Sequence, residues 1–304
     1  MQSKDLGSDW RVMQFGSEYL APEYYDRILK KYGTQDGLHE DLDLLTDFLN
    51  ERPSNGSILE LGCGSGRATR VITDIDHYHD LTVTDLSKQM LDFVQRQEGS
   101  KISEYEQSDH IEFLQKAKKE FNTIISLWSF AHSVFPWYAR HGQGAFKMIE
   151  DILTNFFVQN LKGGGAVFII QTDGASEEQK LIKQSWFLGD GILHKRLLES
   201  EYYSDFQSPS IRILDSVFAT LLKGSIFDST ETNVTQVTGN EIEYDSLDEA
   251  LEIFMNFHLE GEFNGTPAFT PIYDFLKLEF EKIVKAKGKL AIGTGFWIYK
   301  AKKK

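Results

Sequence analysis

The segment Glu60-Leu61-Gly62-Cys63-Gly64-Ser65-Gly66 has residue types and spacing suited to chemistry. Three glycines at alternate positions let a backbone turn where a Cβ would block it and approach a ligand closely. A helix that follows such a turn presents unfilled N–H donors to that ligand. A dinucleotide fingerprint, Gly-x-Gly-x-x-Gly, would place its third glycine at position 67, where Arg67 stands, so the spacing does not fit a pyrophosphate. Glu60, two residues before the first glycine, is placed to accept from an ammonium group or to orient the loop, and it suits a cationic ligand. Cys63 is either a small residue in a tight turn or a nucleophile, and no base is evident beside it. Asp85, in Thr84-Asp85-Leu86-Ser87, is either a ligand-binding acid at a strand's carboxyl end or a helix cap, and Asp109, beside His110, is either a ligand acid or a solvated loop residue.

A second group runs from Trp128 to Tyr138 (WSFAHSVFPWY), with five aromatic rings and one histidine. These rings either wall a site that tolerates cations by cation–π attraction or fill core. His132 reads three ways: a general base for an N–H or O–H acceptor, a hydrogen-bond partner of a cofactor, or a structural histidine. His77-Tyr78-His79-Asp80 superficially has ligand types, but it reads as a polar turn, and no metal site is expected.

The elements that must position these residues alternate. Leu38, Leu42, Leu45, Phe48 and Leu49 mark one face of a helix that Pro53 to Gly56 end. Then come a strand over 57–61, the glycine loop, a helix over 67–75, a strand over 81–84 and a helix from Ser87 to Arg96. A short strand near 103–107, a helix over 112–120, a strand over 122–127, a long helix over 145–161 and a strand over 166–171 follow. Ser176 to Gln179 form a capping box before another helix. Beyond it the pattern predicts strands over 217–227 and 235–244, helices over 247–257 and 271–285, and a last strand over 290–299. The alternation argues for an α/β fold with a parallel, doubly wound sheet. The full expectation, completed by a family resemblance, is a Rossmann-like doubly wound sheet, mostly parallel with an antiparallel last strand, plus a cap. The expected divisions are a helical lid over 1–52, a core over 53–172, a helical cap or insertion over 173–216, and strands and helices over 217–304 that complete the sheet and pocket.

With these residues in order, the sequence resembles the class I S-adenosylmethionine-dependent methyltransferases, whose first motif is acid-x-Gly-x-Gly-x-Gly, from about Tyr24 to Gln171 and again in the last strand. The resemblance implies that Glu60, Gly62, Cys63, Gly64 and Gly66 cradle S-adenosylmethionine and that Asp85 binds its ribose hydroxyls. It further implies that Leu86, Met90 and Leu127 border the cofactor, with Asp109 and His110 at its adenine. Tyr25, in the aromatic-Asp run before Asp26, resembles a lid over the cofactor's amino-acid end, and reads equally as one face of a helix. Trp128, His132, Trp137 and Tyr138 would then meet the acceptor. Phe121-Asn122 departs from the family's Phe-Asp at the fourth strand, at a position that contacts neither ribose nor adenine. Ser126-Leu127-Trp128-Ser129 is not the Asn/Asp-Pro-Pro-Tyr run of nucleic-acid amino methyltransferases. The order of C-terminal elements is similar to histamine N-methyltransferase, but Ile292-Gly293-Thr294-Gly295 stand where that enzyme has its amine-holding asparagine.

Composition narrows the partners. Of 304 residues, 32 are Lys or Arg against 46 Asp or Glu, a formal net charge of -14, which disfavours nucleic acid and suits neutral or cationic small molecules. A single cysteine makes no intramolecular disulfide, and residues 1–12 lack the apolar core of a signal sequence. No run approaches the roughly 20 apolar residues of a membrane span. The expectation is a cytoplasmic monomer or homodimer that methylates a small nitrogen-containing metabolite. The alternatives are an O- or C-methyltransferase of secondary metabolism, or a noncatalytic protein that binds the same cofactor.

Overall fold

A computed structural model describes residues 22–51, 56–75, 78–194 and 208–304. The expectations for residues 1–12, Pro53, His77 and the 195–207 part of the cap, and for the side chains of Tyr24, Tyr78 and His79, fall outside what is described.

Strand β1 (Gly56–Leu61) is buried along nearly its whole length, as a strand covered on both faces must be. It pairs in parallel with β2 (Tyr78–Asp85) and with β4 (Phe121–Leu127). β3 (Glu104–Gln107) extends the sheet beyond β2, and β5 (Leu161–Thr172) lies beyond β4, both parallel. β7 (Ala291–Lys302) runs antiparallel to β5, with Ala166 opposite Lys302 and Thr172 opposite Phe296. With β6 (Asn233–Glu243) the seven-stranded order is β3-β2-β1-β4-β5-β7-β6. The order reverses at β1 and β4, and their diverging connections leave the crevice in which such sheets bind ligands.

The chain divides into two compact units. One comprises Asp36–Thr172, Pro209–Val237 and Phe296–Lys304, and the other Met1–Gln35, Asp173–Ser208 and Thr238–Gly295. In the first, Phe48 on the helix α2 (Asp41–Asn50) stacks on Phe168 at 4.7 Å, and both are fully buried. α2 begins at a capping box between Glu40 and Asp43, which leaves Leu38 exposed and outside the apolar face that the spacing assigned it to. The β1–β2 connection carries α3 (Arg67–Asp74), and α4 (Lys88–Glu98) and α5 (His110–Lys116) flank β3. Two helices, α6 (Phe130–His141) and α7 (Gly144–Asn160), join β4 to β5. The aromatic run after β4 is therefore mostly helical.

The predicted strand over 217–227 is a correction. Those residues belong largely to the helix α9 (Pro209–Lys223). Its β-branched composition reads as a strand, yet the buried residues Leu214, Val217, Phe218 and Leu221 repeat at helical spacing, and Pro209 suits the first helical turn. Phe218 packs 5.1 Å from the ring of Tyr299, whose hydroxyl donates to Asp215 Oδ1 at 2.8 Å.

The second unit contains α1 (Pro22–Leu29), α8 (Glu177–Leu193), α10 (Leu247–Ile253) and α11 (Phe269–Lys287). Ser176 caps α8 by accepting from Gln179 N at 3.2 Å. Aromatic contacts fill this unit: Trp186 against Phe263 at 4.9 Å and Phe254 against Phe280 at 5.0 Å. Among them the Tyr32 hydroxyl donates to Glu178 Oε1 at 2.5 Å, and His258 Nε2 lies 3.5 Å from the same oxygen. Among the described residues, no helix is long and apolar enough to cross a membrane.

Candidate active site

The loop leaving β1 is shaped by its own backbone. Gly62, Gly64 and Gly66 have φ of 78, 50 and 81°, in the left-handed region that residues with a Cβ enter at a cost. Gly62 N and Cys63 N both donate to Thr84 O at 2.9 Å, tying the loop to the end of β2, and Gly66 N closes the turn onto Cys63 O at 2.8 Å. A Cβ on Gly62 would lie 2.4 Å from Ser129 Cβ. Ser129 itself is held in place, its Oγ donating to Leu61 O at 2.7 Å and lying 2.9 Å from Ser126 Oγ.

Asp85 ends β2 and reaches the middle of the loop. Its Oδ2 accepts from Gly64 N and its Oδ1 from Ser87 N, both at 2.8 Å. Burial pushes its carboxyl upward, and the backbone N–H donors pull against that shift. Helix α4 starts at Ser87, whose Oγ accepts from Met90 N, and Met90 is buried while Leu86 is half-buried.

Glu60 is 2% exposed and turns toward α3, where its Oε2 accepts from Thr69 Oγ1 at 2.7 Å. Burial raises its pKa to about 7, with Thr69 opposing. Cys63 is buried, and desolvation holds its thiol well above the usual range, so it stays protonated at neutral pH.

Asp109 is the N-cap of α5. Its Oδ1 accepts from Ile111 N at 3.0 Å, Glu112 N at 3.2 Å and Trp137 Nε1 at 3.1 Å. The next residue, His110, is buried, with Nδ1 lacking a hydrogen-bond partner, and its Cε1 is 3.0 Å from the position a Gly62 Cβ would take. Desolvation and the neighbouring His132 lower the pKa of His110 to about 3, and desolvation lowers that of His132, on α6, to about 4. Both imidazoles are neutral at physiological pH.

The structure thus gathers Glu60, the three glycines, Cys63, Asp85, Asp109, His110, Ser129 and His132 around the carboxyl ends of β1, β2 and β4. Trp137 joins through Asp109, and Leu127 is half-buried at the end of β4. Tyr138 stacks on Phe146 of α7 at 5.5 Å. Tyr25 belongs to the other unit, 5.5 Å from the ring of Phe257. Asn122 accepts from Ser57 N at the amino end of β1, away from the loop.

Sequence reasoning missed Asp41 and Arg67. Asp41, fully buried at the start of α2, accepts from Arg67 Nη1 and Nη2 at 2.9 and 2.8 Å and from Trp128 Nε1 at 2.7 Å. The only local signal was an arginine where a dinucleotide site has glycine.

Residues 58–150 match the profile of a family described as "Methyltransferase domain". No curated protein matches the chain. Solved structures of similar outline include YjhP from Escherichia coli, at 14% identity and a TM-score of 0.47 over 95% of this chain and 100% of that one. A SAM-dependent methyltransferase from Thiobacillus denitrificans in complex with S-adenosyl-L-homocysteine aligns at 14% identity and 0.47, over 93% and 96%. The [4+2]-cyclase SpnF aligns at 15% and 0.47, over 95% and 94%.

Proposed function

We propose that this chain is a class I S-adenosylmethionine-dependent methyltransferase that transfers a methyl group to a nitrogen atom of a small metabolite, a reading supported by the methyltransferase-domain match over residues 58–150. The residues present fit the cofactor. The left-handed turn at Gly62 leaves no side chain between the backbone and a ligand, and a Cβ there would collide with Ser129. Asp85 accepts from Gly64 N and Ser87 N and also interacts with the Leu86 N–H, and an ionised carboxylate has about four acceptor sites, so capacity remains for a ribose hydroxyl. Asp109 already serves α5 and Trp137 through Oδ1, so an adenine contact would share an oriented side chain.

Bound there, S-adenosylmethionine supplies a sulfonium methyl already activated for in-line displacement. The protein has then to hold the acceptor in line and keep water out. Trp128 and Trp137, each 5% exposed, supply rigid apolar surface next to the loop. The choice of nitrogen is supported by the desolvation of His132, on α6 beside His110, which lowers its pKa to about 4. A base that weak removes a hydroxyl proton poorly, because general-base catalysis works best with a pKa near the working pH. A neutral amine attacks through its own lone pair; an amine that arrives as an ammonium first gives one proton to solvent, and the methylated ammonium formed by the transfer can give up another. The net charge of -14 draws cationic metabolites toward the protein.

The test is S-adenosylhomocysteine formation, read by mass spectrometry, with panels of small amines, phenols and carboxylates. Turnover with amines supports the reading. Turnover confined to phenols or carboxylates overturns it.

A further inference from the structure

Asp41 of α2, Arg67 of α3 and Trp128 of the β4–α6 connection meet in one buried knot. Asp41 is 0%, Trp128 5% and Arg67 6% exposed. One carboxylate takes both arms of the guanidinium and the indole N–H.

Three features show that this knot does more than join helices. Arg67 is the first residue of α3, where a cation opposes the helix dipole, so helix stability does not account for it. A buried ion pair also has a desolvation cost that an apolar pair of the same size avoids. Trp128 has φ of 61°, a conformation that costs a residue with a side chain about 1–3 kcal/mol and persists where surroundings fix it. Here the backbone N–H of Trp128 donates to Ile170 O at 2.9 Å while its indole is bound to Asp41.

The connections on either side are those that frame the crevice. Arg67 follows Gly66, the last glycine of the loop, and Trp128 precedes Ser129, whose hydroxyl supports Leu61 O and whose Cβ limits the space at Gly62. We propose that Asp41, Arg67 and Trp128 are positioning residues, a clasp that fixes the exit of the glycine loop against the segment after β4 and so sets the loop in its binding shape before the cofactor arrives. Its consequence for affinity rests on the cofactor reading above, whereas its effect on the loop does not.

Trp128→Phe keeps an aromatic ring and the Asp41–Arg67 pair but removes the indole donor. Asp41→Asn, retaining shape, is the second variant. Three readouts apply to folded protein: amide hydrogen exchange at Gly64 and Gly66, the 15N-indole resonance of Trp128, and calorimetry with S-adenosylhomocysteine. In the wild type the resonance that disappears in Trp128→Phe should be downfield and protected from exchange, and Asp41→Asn should move it. Gly64 and Gly66 amides should exchange about tenfold faster in Trp128→Phe, and S-adenosylhomocysteine should bind about tenfold more weakly, with β1 amides unchanged. Arg67→Lys should lie between the wild type and Arg67→Met, since lysine keeps the charge and loses the fork. Unchanged exchange at both glycines in folded Trp128→Phe and Asp41→Asn overturns the clasp. Faster exchange at those glycines in a chain whose wild type binds no S-adenosylhomocysteine supports the clasp and counts against the cofactor reading instead.

Discussion

Replacing Gly62 by alanine separates the loop's two physical demands. The first is backbone: φ of 78° lies in the left-handed region, where a Cβ costs about 1–2 kcal/mol. The second is space. The new methyl would sit 2.4 Å from Ser129 Cβ and 2.5 Å from its Oγ, so Ser129 must move. Moving it breaks the Oγ hydrogen bonds to Leu61 O and Ser126 Oγ, worth about 1 kcal/mol each. Gly164, in the same unit, is the control. It has φ of 75° but nothing within 4 Å of its would-be Cβ, so Gly164→Ala bears the backbone cost alone. The unfolded chain gains the same rigidity in both variants, and that term cancels in the comparison. Urea unfolding followed by circular dichroism should therefore place Gly62→Ala about 2 kcal/mol below Gly164→Ala. Two variants equal within about 0.5 kcal/mol would refute the claim that Ser129 closes the space above Gly62.

Acid should destabilise the fold, with a defined sign. Burial lowers His110 and His258 to about 3 and His132 to about 4, so the stability they contribute is whole above their unfolded value of 6.5 and is lost as the pH falls below it. Glu60 and Glu178, raised to about 7 by burial, act oppositely: their contribution is whole below 4.5 and lost as the pH rises through about 7. Three histidines outweigh two carboxyls, so the urea midpoint should peak near about pH 6.5, and Glu60→Gln should flatten the alkaline limb. A midpoint that rises steadily from pH 6.5 down to 4.5 would contradict this. The Cys63 thiol should resist Ellman's reagent in the native protein and react once urea exposes it, and Cys63→Ala should bind S-adenosylhomocysteine normally. Fast native labelling would show an accessible thiolate.

The parts legible in the sequence were those in which a few neighbouring residues determine geometry. Glu60 to Gly66 between an apolar run and a helix specified strand, turn and helix at once, and Ser87 and Ser176 announced the caps that the structure shows. The helix α9 was misread because valine, isoleucine and phenylalanine favour strands locally, whereas burial against α7 and β7 selects the helical repeat. The clasp was illegible for a different reason. Asp41 lies 26 positions from Arg67 and 87 from Trp128, and Glu178 lies 146 from Tyr32, separations that local spacing does not encode. His132 could be nominated as a base from its type and place, but its weakness comes from packing that only the folded chain creates.

Calorimetric titration of the purified chain with S-adenosylhomocysteine tests the central claim most directly. The account expects one saturable site per chain, weakened at least about tenfold by Asp85→Ala, because that change removes the acceptor on Gly64 N and, with it, the carboxylate proposed to bind the ribose. Wild-type protein that gives no heat beyond dilution, or an Asp85→Ala variant that binds as tightly as the wild type, would contradict it.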